Sequence, residues 1–535
     1  MVVVIKFHAL PIVDLFAGPG GLSEGFARQK RDGVDMFDVR LSIEMDPLAR
    51  QTLMLRSFYR QLGSSASRAG YRKYLRGDQD LAKLFAGAPE AAAVADREAW
   101  RAELGAEDRM NVRDRIDESL NGATEWVLLG GPPCQAYSLA GRSRLLPVLG
   151  EERFSADPRH QLYKEYLRIL ADHAPTAFIF ENVRGILSSK LNGTSVFKRI
   201  YDDLKNPSQQ FSNQEGLRHN PEYRLFPLTI GTQNYKEAEV EPAPEQFIVR
   251  SEDYGVPQRR HRLIILGVNA QFLKKNPGRF PDVLVKEKRE VTLEQVIGDL
   301  PIIRSAPSGP NGTFKAWCAS LSDLLKVPLN LSQSTLFDYA QESESIEKII
   351  RASISKASEI DRGLGESYLQ YSDTPQYNPG SWFRDGRQRG ITNHESRTHM
   401  RSDLQRYLFS SAFAQARGRT PTLRDFPRKL MPEHKNATVS ARNGHFADRF
   451  RVQVKGRPAT TITSHISKDG HYFIHYDPAQ CRSLTVREAA RIQTFSDDYH
   501  FEGPRTEQYR QVGNAVPPYL AYQIAGVVGE LLSPD

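Results

Sequence analysis

The chain has 535 residues, 39% hydrophobic and 25% charged, with 38 Gly and 32 Pro, which excludes disordered and fibrous classes and leaves room for about two to four domains. Seventy-two Lys plus Arg against 64 Asp plus Glu give a net charge of +8, a balance that permits a nucleic-acid partner without requiring one. Three cysteines, Cys134, Cys318 and Cys481, are too few for a disulfide framework, and no window approaches the ~18 to 20 apolar residues of a membrane span.

The first 270 residues repeat a short apolar run, a polar or Gly-rich turn and a helical stretch, which predicts a parallel sheet with crossover helices. Predicted strands cover 12–16, 39–43, 126–129, 177–180, 246–249 and 263–267. Ligands of such sheets gather at the carboxyl ends of the strands, so the polar residues closing each run are the candidates.

The first run closes on Asp14-Leu-Phe-Ala-Gly-Pro-Gly-Gly-Leu-Ser-Glu-Gly-Phe26. Its glycines allow close backbone approach to a ligand, yet Ser23 stands where the dinucleotide fingerprint needs its third glycine. Glu44 closes the second run and is placed to accept from two ribose hydroxyls; Asp114 is expected to meet an adenine amino group. Residues 56–110, rich in Arg and Ala, read as a helical insertion without chemistry.

The third run leads into Gly130-Gly-Pro-Pro-Cys-Gln-Ala-Tyr-Ser138. Two prolines stiffen the chain just before Cys134, presenting its thiol toward a cleft as a candidate nucleophile; Cys318 and Cys481 are expected to be inert. The fourth run closes on Glu181, a candidate acid, followed by Asn182. Gln258, Arg260 and Arg262 alternate along an extended segment and so face one way. From them comes either a cleft-facing cation that orients Glu181 or a structural row.

From 271 to 480 the alternation fails, predicting a second, irregular domain. Within it, residues 381–457 carry 17 Lys plus Arg against six acids, a local charge of +11 that leaves −3 for the rest of the chain. Trp382, Phe383, Tyr407, Phe446 and Phe450 lie among these cations, the pattern of a nucleic-acid surface. His465, His471, His475 and Cys481 match no zinc spacing, and no metal is expected. Helices are predicted again at 486–494 and 518–532.

The ordered blocks DLFAGPGG, GGPPCQAYS, ENV, QRRHR, RSLTVREAAR and QVGNAVP resemble those of the DNA (cytosine-5)-methyltransferases, from residue 12 to about 520. The resemblance implies a doubly wound, Rossmann-like α/β catalytic domain over 1–270, a target-recognition domain over 271–480 across a DNA-binding cleft, and a return segment over 481–535. It implies S-adenosylmethionine as cofactor, held by Phe16, Gly18, Gly20, Gly21, Leu22, Glu44, Met45, Asp114, Arg115, Pro133, Asn514 and Ala515. The catalytic set would be Cys134, Glu181, Asn182, Arg260 and Arg262. Base flipping would draw on a closing loop with Gln135, Ser138, Gly141 and Arg142, and DNA contacts on Gln258, Arg384, Arg387 and Arg397. The expected protein is a monomer, cytoplasmic and nucleoid-associated, acting on double-stranded DNA in restriction-modification or host defence, with a cognate endonuclease or defence proteins as partners. An RNA cytosine methyltransferase and a non-catalytic DNA-binding repressor are the alternatives.

Overall fold

The computed structural model describes residues 9–63, 67–133, 159–191, 193–211, 216–231, 241–310, 312–328, 338–360, 362–371, 373–384, 389–433 and 448–533. Its centre is an eight-stranded sheet. In chain order the first part runs β1 (Leu10–Leu15), α1 (Gly21–Ala27), β2 (Phe37–Glu44) and α2 (Pro47–Gln61). Next come α3 (Ser67–Leu75), α4 (Leu81–Ala86), α5 (Pro89–Glu98), β3 (Ala99–Arg101), α6 (Arg109–Leu120) and β4 (Val127–Gly130). The sheet is completed after α7 (Arg159–His173) by β5 (Ala177–Val183), α8 (Val196–Lys205), β6 (Tyr223–Phe226), β7 (Ile248–Arg250) and β8 (His261–Asn269).

Strands lie in the order β6-β8-β5-β4-β1-β2-β3, with β7 also paired to β8. The continuous apolar runs of β1, β4 and β5 are buried, as expected of strands covered on both faces. One face packs on α1 and the C-terminal helix, the other on α6, α7 and α8.

From β3 through β5 the sheet is parallel, as the alternation predicts. β6, β7 and β8 depart from that expectation: β8 is antiparallel to β5, and β6 and β7 are antiparallel to β8. The reversal matters for chemistry. An antiparallel strand brings its amino end to the edge where the parallel strands have their carboxyl ends, so the residues that open β8 meet those that close β5.

The helical reading of 56–110 holds for α2 to α5, but β3 was not foreseen and is part of the main sheet. The segment is also a brace. Arg56 of α2 donates to both carboxylate oxygens of buried Glu24 in α1 at 2.9 and 2.5 Å, and the Tyr71 and Tyr74 hydroxyls donate to the Asp498 carbonyl and Glu502 carboxylate.

Residues beyond 270 are more regular than expected. They form α9 (Phe314–Ser322), α10 (Asp338–Ala357), a hairpin of β9 (Gly365–Gln370) and β10 (Gly390–Glu395), and α11 (Arg401–Arg417). One core gathers α9, α10 and α11 with Phe426, Phe450 and Ile474. Another joins 291–300, the hairpin and 459–473 to the return helices α12 (Val486–Ile492) and α13 (Arg505–Asn514), and so runs across the boundary expected at 480. The last helix, α14 (Pro518–Leu532), packs on α1. No described helix is long and apolar enough to cross a membrane.

Trp382, Phe383, Tyr407 and Phe450, expected to interleave with cations on a surface, are core residues instead. Their apolar area is what closes these two cores around so many arginines. The inert reading of the two other thiols agrees with their settings: burial pushes both up, and Cys481 lies 3.0 Å from the Leu404 carbonyl. His471 is hydrogen-bonded to the Tyr407 hydroxyl, and His475 accepts from the Asp477 amide.

Candidate active site

The turn after β1 is left-handed at Phe16, Gly18 and Gly20, and α1 starts at its far side with Gly20 as N-cap. The Gly18 amide donates to Glu44 Oε2 at 2.8 Å, and the Asp46 amide donates to Oε1 at 2.8 Å. Burial raises the Glu44 carboxyl against the pull of these two amides. α2 follows at once because Asp46 caps it, accepting from the Leu48 and Ala49 amides, with Pro47 at its first position.

The return segment closes this turn from behind. Gly21 meets the Val516 carbonyl so closely that a Cβ would sit 2.2 Å from it, and the Tyr499 hydroxyl donates to the Pro19 carbonyl. Asn514 is exposed beside buried Ala515 at the end of α13. In front of the turn lies open space, since a Cβ on Gly18 would meet nothing within 4 Å. A left-handed cradle, an anchored carboxylate with free lone pairs and an exposed Asn514 fit a nucleoside cofactor with hydroxyl and ammonium groups.

Several expected cofactor contacts need correction. The Leu22 side chain belongs to the core under the sheet and the side of Gly21 to Val516, so these two residues offer backbone only. Met45 is 54% exposed next to Glu44. Asp114 and Arg115 lie instead on α6, bordering an outer groove with Arg50 and Trp100. Arg115 is occupied by Glu118 and the Arg97 carbonyl. The displacement follows from β3, which extends the sheet beyond β2. The acid just past the carboxyl end of β3 is exposed Glu103, which the sequence reading missed because three residues of β-structure inside a helical stretch carry little periodic signal.

At the next pair of strands, Gly130 of β4 lies opposite Phe180 of β5. Gly131, Pro132 and half-buried Pro133 then pass against Glu181, whose Oε2 would lie 3.0 Å from a Cβ on Gly131. Asn182 is buried and donates to the Pro132 carbonyl at 3.0 Å, holding the turn two residues before Cys134. Glu181 pairs in register with Ile264 and Val183 with Arg262, so Arg262 is the diagonal neighbour of Glu181 on one face. Arg262 Nε reaches Glu181 Oε1 at 3.0 Å, with each side chain 13–14% exposed. Burial lowers the Arg262 guanidinium while Glu181 pulls it back.

Cys134, Gln135, Ser138, Gly141, Arg142, Arg387 and Phe446 lie outside the described residues. The remaining predictions for the QRRHR block are corrected. Gln258 is fully buried, donating to Gln493 and the Ile492 carbonyl and accepting from the Ile462 amide. Arg260 is 2% exposed and donates to the Ile462 and Gly513 carbonyls, so its guanidinium is held in the interior, within electrostatic reach of Arg262 and Glu181. The two residues do share one face, as the alternation says; that face is sealed by the short parallel pairing of Gln258–Arg259 with Ala459–Thr460. Arg384, expected on DNA, is buried and ion-paired with Asp497 at 2.8 Å. Arg397 stacks on Tyr509 at 3.9 Å and donates to the Ile466 carbonyl.

The sequence profile described as C-5 cytosine-specific DNA methylase matches residues 100–212 and 232–530. The type II methyltransferase M.Bpa9945I of Bacillus paralicheniformis is 31% identical over 98% of this chain and 99% of its own length. M.DdeI of Desulfomicrobium norvegicum is 24% identical over 96% and 87%, and the DNA (cytosine-5-)-methyltransferase M.ApeKI of Aeropyrum pernix 25% identical over 77% and 83%. With a family profile over most of the chain and a relative 31% identical along nearly its whole length, the chain belongs to the C-5 cytosine-specific DNA methylase family.

Proposed function

We propose that this DNA cytosine-5 methyltransferase works through a covalent bond between Cys134 and carbon 6 of a cytosine flipped out of a specific duplex sequence, with Glu181 and Arg262 activating the base. The observation that carries the assignment is the Glu181–Arg262 pair, held against the Pro132–Pro133 turn that delivers Cys134.

Carbon 5 of cytosine is a weak nucleophile. Addition of the Cys134 thiolate to carbon 6 breaks the 5,6-double bond and makes carbon 5 electron-rich, provided that charge on the ring is met. Glu181 in its protonated form would do so at ring N3, as proton or hydrogen-bond donor, and Arg262 at the ring carbonyl oxygen. S-adenosylmethionine would supply the electrophilic methyl group that carbon 5 takes, its S–CH3 bond breaking to leave the thioether S-adenosylhomocysteine. Transfer of the carbon-5 proton to a solvent water then restores the double bond and expels the Cys134 thiolate. Phe16, Gly18, Gly20, Glu44, Met45 and Asn514 hold the cofactor, with Glu103 toward the adenine in place of Asp114.

Gln135 to Gly150 would close over the flipped base, and Arg387 would contact DNA. The relatives' names, type II methyltransferases, favour a place in restriction-modification; a cognate endonuclease as partner and a cytoplasmic, nucleoid-associated monomer are part of the same proposal.

The test is transfer of tritium from labelled S-adenosylmethionine to duplex DNA or RNA, by wild type and Cys134→Ala. DNA labelling by wild type alone, with a covalent complex on 5-fluorocytosine DNA, is the expected result. Labelling by Cys134→Ala would overturn the nucleophile; labelling of RNA alone would overturn the substrate, and DNA binding without labelling would turn the reading to a repressor.

A further inference from the structure

Arg260 is a buried guanidinium whose acceptors, among the described residues, are two main-chain carbonyls from distant parts of the chain. One is Ile462 O at 2.8 Å, at the exit of the 271–480 segment; the other is Gly513 O at 3.3 Å, one residue before Asn514. Gly513 lies in the last turn of α13, where carbonyls lack intrahelical donors and the helix dipole is negative, so a cation is favoured there.

Three independent contacts draw the same pieces together. A Cβ on Gly513 would stand 2.3 Å from the Thr463 carbonyl carbon and Ser464 amide, so α13 is pressed onto the segment that follows Ala459–Thr460. The Gln258 side chain accepts from the Ile462 amide at 2.8 Å and donates to Gln493, whose own amide donates to the Val512 carbonyl at 2.7 Å. The Ala459 amide donates to the Pro257 carbonyl at 2.8 Å. Two residues beyond Arg260 on the same extended segment is Arg262, paired with Glu181. One two-residue step of backbone therefore joins the activated base, the cofactor loop and the DNA-reading segment.

We propose that Arg260 is a positioning residue that holds the exit of the recognition segment and the Asn514 loop in one register, so that DNA engagement and cofactor binding strengthen each other through it. The inference rests on the functional reading above, which makes one loop a cofactor contact and the other segment a DNA contact. A displaced Ile462 segment would carry the Gly513 carbonyl, and with it Asn514, away from the cofactor turn; bound DNA, by fixing that segment, would fix the end of α13.

The test is calorimetric titration of S-adenosylhomocysteine into full-length protein, with and without unmethylated plasmid DNA. In wild type, DNA is expected to tighten S-adenosylhomocysteine by roughly fivefold or more, and by linkage the ligand tightens DNA equally. Arg260→Met fills the same space without either hydrogen bond and is expected to bring the factor below about twofold, with Arg260→Lys recovering part of it. Loss of structure alone would lower the binding stoichiometry and leave the factor unchanged. Gln258→Met, which cuts the second tie, carries the test should Arg260→Met not fold. An unchanged factor in the folded variants, or no factor in wild type, overturns the proposal. Wild type that binds S-adenosylhomocysteine but labels no DNA overturns the functional reading instead, and the titration still tests the clamp.

Discussion

The Gly18 amide donates to Glu44 Oε2 across 2.8 Å, so the turn after β1 and the carboxylate closing β2 form one rigid unit. The Glu44 oxygens accept from the Gly18 and Asp46 amides, and a carboxylate's four acceptor sites leave capacity for a ribose hydroxyl. Glu44→Gln turns one acceptor into a donor facing a backbone amide. The expected result is a KM for S-adenosylmethionine raised about tenfold or more, from a charge-assisted bond of about 1.5–3 kcal/mol, with kcat within about threefold. Initial-rate kinetics at saturating DNA check it; an unchanged KM would remove Glu44 from the cofactor site.

Much of this unit was legible in advance, because Gly-rich turns and strand-closing acids are local signals. The Glu181–Arg262 pair was legible in composition but not in geometry, since no local pattern says that β8 runs antiparallel. Arg260 and Gln258 shared a face as the two-residue period requires, but which face was sealed depended on the pairing with Ala459–Thr460, two hundred residues away. Asp114 failed for a smaller reason: β3 has three residues, too few to interrupt a helical reading.

Glu181 and Arg262 share one ion pair, so their losses are not additive. Glu181→Gln removes the acid and is expected to lower kcat by roughly a hundred- to ten-thousand-fold. Arg262→Met should cost on the order of a hundred- to a thousand-fold, and the double variant little more than the worse single one. S-adenosylhomocysteine affinity should stay within about twofold in all three, because neither side chain belongs to the Gly18–Glu44 unit. Additive losses in single-turnover rates would mean that the two act separately.

Two glycines of the same turn should respond in opposite ways to alanine. At Gly18 the added methyl enters open space; with φ +57° the strain is about 1–2 kcal/mol, so Gly18→Ala should melt only a few degrees lower while losing most of its S-adenosylhomocysteine affinity to the methyl in the cradle. At Gly21 the methyl would lie 2.2 Å from the Val516 carbonyl, and overpacking against backbone costs about 1–3 kcal/mol. Gly21→Ala should therefore show the larger loss of thermal stability. Thermal melts with and without ligand separate the two; equal melting losses would mean that Val516 yields.

Asp14 is buried near the end of β1, and burial raises its carboxyl from 3.8 to about 7 against the opposing pull of the Ser23 amide and hydroxyl. Between about pH 4 and 7 the folded protein keeps a proton that the unfolded chain has released, so this group's contribution to stability is full below pH 4 and is lost as pH rises through 7. Three units correspond to at most about 4 kcal/mol. Asp14→Asn keeps the shape without the proton, so its stability should fall less than that of wild type between pH 5 and 8. Urea unfolding at the two pH values measures the difference, which cancels the common contribution of other carboxylates such as Glu44. Equal falls for variant and wild type would mean that Asp14 ionises in the fold as readily as in the unfolded chain.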